Sequence, residues 1–386
     1  MRFLTILLAA FVFGWSRAAS AYPFMIQHGY TGCGECHVDP SGAGALTEYG
    51  RGQAEILLRT AWGTRPEDWE PSKTKDFAFG VLSLPEWLAL QGDGRVLVIP
   101  EPSNTRVVAM QSDLRAAVHT DRFVAYGSAG WVDEGATEAW VSANSGAGGN
   151  LVSREYWMGW KPDRDLLVRA GRMALPFGIR SEEHKLFVRS TTETNTNADQ
   201  QIGADAVWSG GAVRAELMGI LGNVQVSPDD FRERGYSAVA SYAPSKKLEL
   251  GASSLLAHAK LDTATITEQI RQAHGLFGRF SPAQRLALLS EADLLLDGTL
   301  GPRVGAAGYL QLDLEALSGF HVKGTGEWCD DDFADTSGST ARGTGTLLWF
   351  FAPHADVRAD AMYGTLECTP GVASSFMGLL QAHLFL

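Results

Sequence analysis

Cys33-Gly34-Glu35-Cys36-His37 holds the residues of this chain best spaced to do chemistry together. Thiols separated by two residues can each add to one vinyl group of a haem, and a histidine directly behind them can bind the iron from one face. The C-x-x-C-H pattern therefore predicts one covalent haem c, with Cys33 and Cys36 as thioether anchors and His37 as the proximal iron ligand. A zinc site would need two further ligands at close spacing, and neither the other eight histidines nor the other two cysteines supply a second knuckle. A thioredoxin-type pair would need a βαβ context, which the chain lacks. The distal ligand stays open: His28 is near in sequence, and Met25 is the softer alternative that would raise the potential. Met173, Met218, Met362 and His321 are further candidates that could reach in from the rest of the chain. An empty sixth position would point instead to peroxidase-like or sensing chemistry.

The elements that position this motif begin with a leader. Arg2, the apolar stretch 3–15 and Ala19-Ser20-Ala21 form a secretory signal peptide, with cutting expected after Ala21. Residues 22–75 are then the haem segment and a linker, and 76–386 a second unit of different character. A segment of roughly 40 residues is too small to bury a haem by itself, so its faces must be covered by the rest of the chain. Export also makes a disulfide between Cys329 and Cys368 permissible, a free thiol pair being the alternative.

Beyond Phe77 short runs alternate apolar and polar residues. Leu248, Leu250 and Ala252 alternate with Glu249, Gly251 and Ser253; Leu310, Leu312 and Leu314 with Gln311 and Asp313; Val357, Ala359 and Ala361 with Arg358 and Asp360. This period fits either a half-wet soluble sheet or a membrane barrel with a polar lumen. Tight turns near positions 120, 162, 210, 245, 283, 318 and 354 alternate with long polar connections at 133–150, 177–199, 222–232 and 330–341. Short turns at one rim and long loops at the other are the mark of an outer-membrane barrel, here mainly β, antiparallel and of about 16 strands. The charges paired along strands (Asp113 with Arg115, Arg214 with Glu216, Arg358 with Asp360) are then lumen lining.

Composition narrows the partners. With 32 basic against 44 acidic residues and a net charge of −12, no nucleic-acid surface is expected. No run of about 18 apolar residues follows the leader, which excludes a spanning helix and leaves strands to meet outer-membrane lipid. Asp330, Asp331, Asp332 and Asp335 cluster beside Cys329, either as oxygen ligands for Fe²⁺ or Ca²⁺ or as a solvated acidic loop.

A signal peptide, one C-x-x-C-H near the mature start and a barrel filling the rest resemble the fused cytochrome–porin family of bacterial outer membranes. Its best-known members oxidise extracellular ferrous iron. The likeness is carried by Phe24, Gln27 and Gly29 ahead of the motif and by Pro40, Leu46 and Tyr49-Gly50-Arg51 behind it. In the barrel it is one of pattern, with Gly171 and Pro176-Phe177-Gly178 typical of a strand rim. The chain departs from the family at Ser41-Gly42-Ala43-Gly44, which lengthens the stretch after the motif, and at His28. The resemblance implies a haem in or at the barrel mouth. It would relay electrons between an extracellular small donor or acceptor, Fe²⁺ among them, and a periplasmic electron carrier. The alternative is a solute or ion porin whose haem segment is a plug or sensor. A soluble periplasmic haem enzyme is a third.

Overall fold

Alternation decides the architecture. Leu310, Leu312 and Leu314 are 59%, 44% and 42% exposed, whereas the intervening Gln311, Asp313 and Glu315 are 2%, 0% and 3% exposed. On the next strand Val322 is exposed while His321 and Lys323 are buried. Apolar outside and charged inside is the reverse of a soluble sheet. It suits a strand with one face against hydrocarbon and the other against a polar lumen. The soluble multi-sheet alternative therefore falls.

The computed structural model describes residues 22–386, apart from 43, 61, 63–76, 101–104, 133–149, 182, 184, 197, 224–228, 263–264, 336–337 and 369–370. The expected signal peptide with its cleavage after Ala21, most of the linker and the long connection after 132 lie outside the described residues. The strands are β1 (Leu88–Pro100), β2 (Thr105–His119), β3 (Phe123–Val132), β4 (Asn150–Val152), β5 (Tyr156–Trp160), β6 (Leu166–Met173), β7 (Gln201–Gly210), β8 (Val213–Gly222) and β9 (Arg234–Ser245). They continue as β10 (Leu248–Ala259), β11 (Gln269–Ala283), β12 (Leu286–Asp297), β13 (Arg303–Leu317), β14 (Phe320–Asp330), β15 (Thr340–Ala352), β16 (Ala355–Cys368) and β17 (Gly371–Phe385). All pairings are antiparallel, and β17 pairs with β1 to close the ring without a free edge. Both β4 and β5 pair with β3 as two pieces of one wall position, so the 17 strands make a 16-stranded barrel. Each expected tight turn is present, and all of them lie at one rim.

The segment behind the leader lies inside this ring, against the short-turn rim. Pro23–His28 forms a 3₁₀ turn whose Phe24, Met25 and Ile26 are buried with Ala287 of β12, Leu348 and Phe350 of β15 and Phe385 of β17. Further contacts come from round the wall. Leu46 N donates to Gln91 Oε1 at 2.8 Å, Arg279 to Thr31 O at 2.6 Å, and Thr60 N to Phe350 O at 2.8 Å. Tyr22 meets the same Phe350 edge-on, with ring centroids 5.6 Å apart, so the segment enters and leaves beside one strand.

The firmest tie is electrostatic. Asp39 Oδ2 lies 2.5 Å from Arg169 of β6, which also binds Asp205 of β7 at 2.6 Å and Glu216 of β8 at 2.9 Å. Arg180 and Arg214 complete a cluster of three guanidiniums and three carboxylates. Burial alone would push the Asp39 carboxyl up, but Arg169 and Arg180, with hydrogen bonds from Ser41, hold it below the usual range. Over the segment folds the connection 174–200. Ile179 N donates to Glu291 of β12 at 2.8 Å, Arg189 binds the same carboxylate at 2.5 Å, and Arg180 donates to Ser41 Oγ.

Two outcomes follow from this docking. Asp39→Ala leaves buried Arg169 short of one carboxylate. Docking of residues 22–60 should weaken by about 3–5 kcal/mol, read as faster protease cleavage within the segment while the barrel stays folded. His28, 3.4 Å from Glu315 of β13, has its pKa pushed down to about 4, by burial first and then by His321 and Arg285. The undocked imidazole titrates near 6.5, so between about pH 6.5 and 4 the docked segment binds fewer protons, and docking weakens as pH falls through that window. Cleavage, corrected with an unfolded control at each pH, should rise on acidification and should rise less in His28→Gln.

Candidate haem site in the barrel lumen

Hydrogen bonds within the segment shape the motif. Cys36 N and His37 N both donate to Cys33 O, at 3.2 and 3.0 Å, closing a turn of helical spacing. Thr47 caps the helix Glu48–Gln53 by accepting from Gly50 N at 3.1 Å, and its hydroxyl donates to Glu35 O at 2.8 Å. The helix thereby presses on the motif backbone to backbone. A Cβ at Gly50 would stand 2.2 Å from Cys36 O, so no larger residue fits there without displacement. The stretch 38–45 leaves and returns through Val38 N–Ala45 O at 3.0 Å and Thr47 N–Cys36 O at 2.9 Å. At Gly42, with φ of 95°, a side chain would be strained and would meet Cys33 Sγ at 2.9 Å.

His37 is held from behind. Its Nδ1 lies 3.3 Å from Gly44 O, which selects the tautomer with the proton on Nδ1 and leaves the Nε2 lone pair for a metal. Cys36, His37 and Met25 line one cavity between the segment and the wall, with Leu46 and Leu58 adding apolar surface. Cys33 and Cys36 are not joined in a disulfide. Burial first, then the neighbouring Cys33 and Glu35, push the Cys36 thiol up to about 12. A thiol so placed stays neutral, which suits neither a thiolate redox couple nor a zinc knuckle. Cys36 lines this cavity and Cys33 does not, standing behind Gly42 at its edge. The Cys36 sulfur, an oriented imidazole, a thioether and apolar walls fit a c-type haem whose second thioether would form at that edge. Among the described residues no group of three His, Cys, Asp or Glu side chains could hold a bare metal ion, the Asp330–Asp335 cluster included.

Several expected participants sit elsewhere. His28 does not line the cavity: its imidazole turns to Glu315 on the wall, where a carboxylate engages it. Of the two nearby distal candidates, Met25 lines the cavity with His37 and His28 does not. His321 is hydrogen-bonded to Asp313 at 2.7 Å, and Met173 and Met218 are buried away from the cavity. The disulfide does not form, because Cys329 is a free thiol. Its ladder partner Thr340 on β15 pairs in turn with Leu366 on β16, so a whole strand separates the two cysteine backbones. Two strand spacings of about 4.8 Å exceed the Cα reach of a disulfide, about 4.4–6.8 Å. The side chain of Cys368 lies outside the described residues.

The wall half of the cavity was only partly foreseen. Arg95, Arg115, Tyr126, Arg154 and His383 line it. His383 is engaged at both nitrogens, Nδ1 2.8 Å from Asp356 and Nε2 3.0 Å from Asp93. Asp113 and Arg115 carried a signal as a lumen pair, and they lie 3.6 Å apart. Tyr126, Arg154 and His383 carried none beyond their place in alternating runs.

No family profile matches the chain, and no curated protein matches it. Solved structures do. A loop-deleted form of OmpT, an outer membrane protein of Vibrio cholerae, superposes with a TM-score of 0.61 at 10% identity, covering 78% of this chain and 99% of that one. The outer membrane channel DcaP of Acinetobacter baumannii gives 0.55 at 10% identity, over 78% and 97% of the two chains. An anion-selective porin from Comamonas acidovorans gives 0.56 at 12% identity, over 77% and 98%. At such identities the likeness is one of fold: the chain has the closed antiparallel barrel of outer-membrane porins.

Proposed function

We propose that this chain is an outer-membrane electron-transfer protein carrying one covalent haem c in the lumen of its barrel. The observation that supports it is the convergence of Cys36, His37 and Met25 on one lumenal cavity at the short-turn rim. In barrels of this class the short turns face the periplasm, so a periplasmic electron carrier has the shorter approach to the site. A small extracellular donor or acceptor, Fe²⁺ among them by family resemblance, comes through the lumen from the long-loop side. The apolar exterior of the strands meets outer-membrane lipid.

Within that reading each residue has a separate task. Haem bound here supplies one-electron chemistry at iron. Cys33 and Cys36 would hold it by thioethers, His37 would supply an imidazole nitrogen in the orientation set by Gly44, and Met25 would supply a thioether, a ligand that favours the reduced state. The wall keeps lipid away and lowers the local dielectric.

A second reading is a solute or ion porin in which the segment is a plug or sensor. It is favoured by the barrels this chain resembles, one described as a channel and another as an anion-selective porin.

Two measurements separate the readings. Redox potentiometry with spectra should give a c-type haem with a methionine charge-transfer band. Met25→Ala should abolish the band and lower the potential by about 59 mV or more, tenfold in the one-electron equilibrium, while His28→Gln keeps the band. A wild-type spectrum without the band would remove Met25 from the iron. In sealed vesicles an impermeant external donor should reduce the haem. A haem that stays oxidised, together with ion conductance that rises when residues 22–75 are deleted, would favour the porin.

A further inference from the structure

We propose that the arginine-rich wall of the cavity, Arg115 and Arg154 with the Tyr126 hydroxyl, is a carboxylate-binding site that takes the haem propionates and fixes the direction of the ring. The inference rests on the haem reading above and goes beyond it by assigning the opposite edge. In a porphyrin the two vinyl groups lie away from the two propionates. Anchoring the vinyl edge at Cys33 and Cys36 therefore turns two carboxylates away from the motif, toward β1, β2 and β3.

The register brings the necessary groups to that wall. Gln91 faces Arg115, Asp93 faces Asp113 and Arg95 faces Gln111 along the β1–β2 ladder, all six on the lumen side. At the cavity surface stand the guanidiniums of Arg95, Arg115, Arg154 and Arg180 against the carboxylates of Asp93 and Glu155. Asp113 and Glu216 stand behind that surface, paired with Arg154 and Arg180. Arg115 stands among them at the cavity surface with two carboxylate neighbours. Its ion-pair contacts are 3.3 Å to Asp93 and 3.6 Å to Asp113, and its side chain keeps 16% exposure on a residue that lines the cavity.

Tyr126 supplies an independent pointer to a ligand. It is 5% exposed and lines the cavity, yet its hydroxyl has no hydrogen-bond partner among the described residues. The ring is fixed by stacking on Trp157 at 5.4 Å and by contact with Gly44, the residue whose carbonyl orients His37. A buried donor kept in place without a protein acceptor suits an acceptor brought by a ligand. Guanidinium and phenol donors together match a carboxylate, which takes two or more hydrogen bonds in one plane. A free carboxylate solute passing through the lumen would share this chemistry.

The test is resonance Raman of the propionate bending modes together with potentiometry on the haem-loaded protein. Arg115→Gln should shift the bending modes and lower the potential by about 59 mV, tenfold in the one-electron equilibrium, because removing a cation beside the carboxylates favours ferric iron. Tyr126→Phe should shift the modes with a smaller change in potential, and Arg115→Lys, which keeps the charge and guards against misfolding, should restore most of the potential. Arg342→Gln, a lumenal change away from this cavity, should alter neither. Modes and potential unchanged in both Arg115→Gln and Tyr126→Phe would overturn the assignment while leaving the haem reading intact. A wild-type protein without covalent haem would overturn both. Succinate titrated into the haem-loaded protein should not bind at the wall. Arg115-dependent binding would overturn the propionate assignment in favour of a solute site.

Discussion

Arg169 is where the two halves of this molecule meet. A guanidinium without water is costly to bury, and here three carboxylates surround it: two from the wall, Asp205 and Glu216, and one from the segment, Asp39. Asp39 stands two residues behind His37, so the electrostatic tie positions the motif almost directly. Without the segment the wall would keep an uncompensated cluster, and without the wall Asp39 would have no counter-ion. The N-terminal stretch is therefore tied to the barrel wall by charge, although nothing in composition joins them.

The same reasoning extends to the rest of the lumen. An inward-facing wall in a closed ring is polar because lipid claims the apolar face, and every buried charge then needs a partner. The connection 174–200 meets that need from one side through Arg189 and Arg180, the segment from the other through Asp39 and the backbone groups of Leu46 and Thr31. Between them remains the cavity at His37. It is apolar where the segment lines it and cationic where β1, β2 and β3 line it.

What the sequence disclosed follows from how local each signal is. Period-two alternation and turn spacing are written into neighbouring residues, so the barrel, its strand number and pairs such as Arg358–Asp360 at 2.8 Å were legible. So was the C-x-x-C-H motif. His28 was assigned by nearness in sequence, but its imidazole follows Glu315, a partner far along the chain that no spacing rule reveals. The Cys329–Cys368 pairing fails because both cysteines end strands at the same rim but on β14 and β16, and β15 intervenes. The cavity wall was the least visible part: His383 meets Asp93 only because β17 closes on β1, and closure leaves no local trace.

Closure also joins the two ends of the chain. Phe385, one residue from the C-terminus, packs on the segment, and its strand β17 is the one that seals the cylinder against β1. The seam and the segment are therefore in contact, and each helps to bury the other. In the closed barrel Cys36 is buried while Cys33 stays partly exposed, so the two thiols of the motif differ in how far closure removes them from solvent.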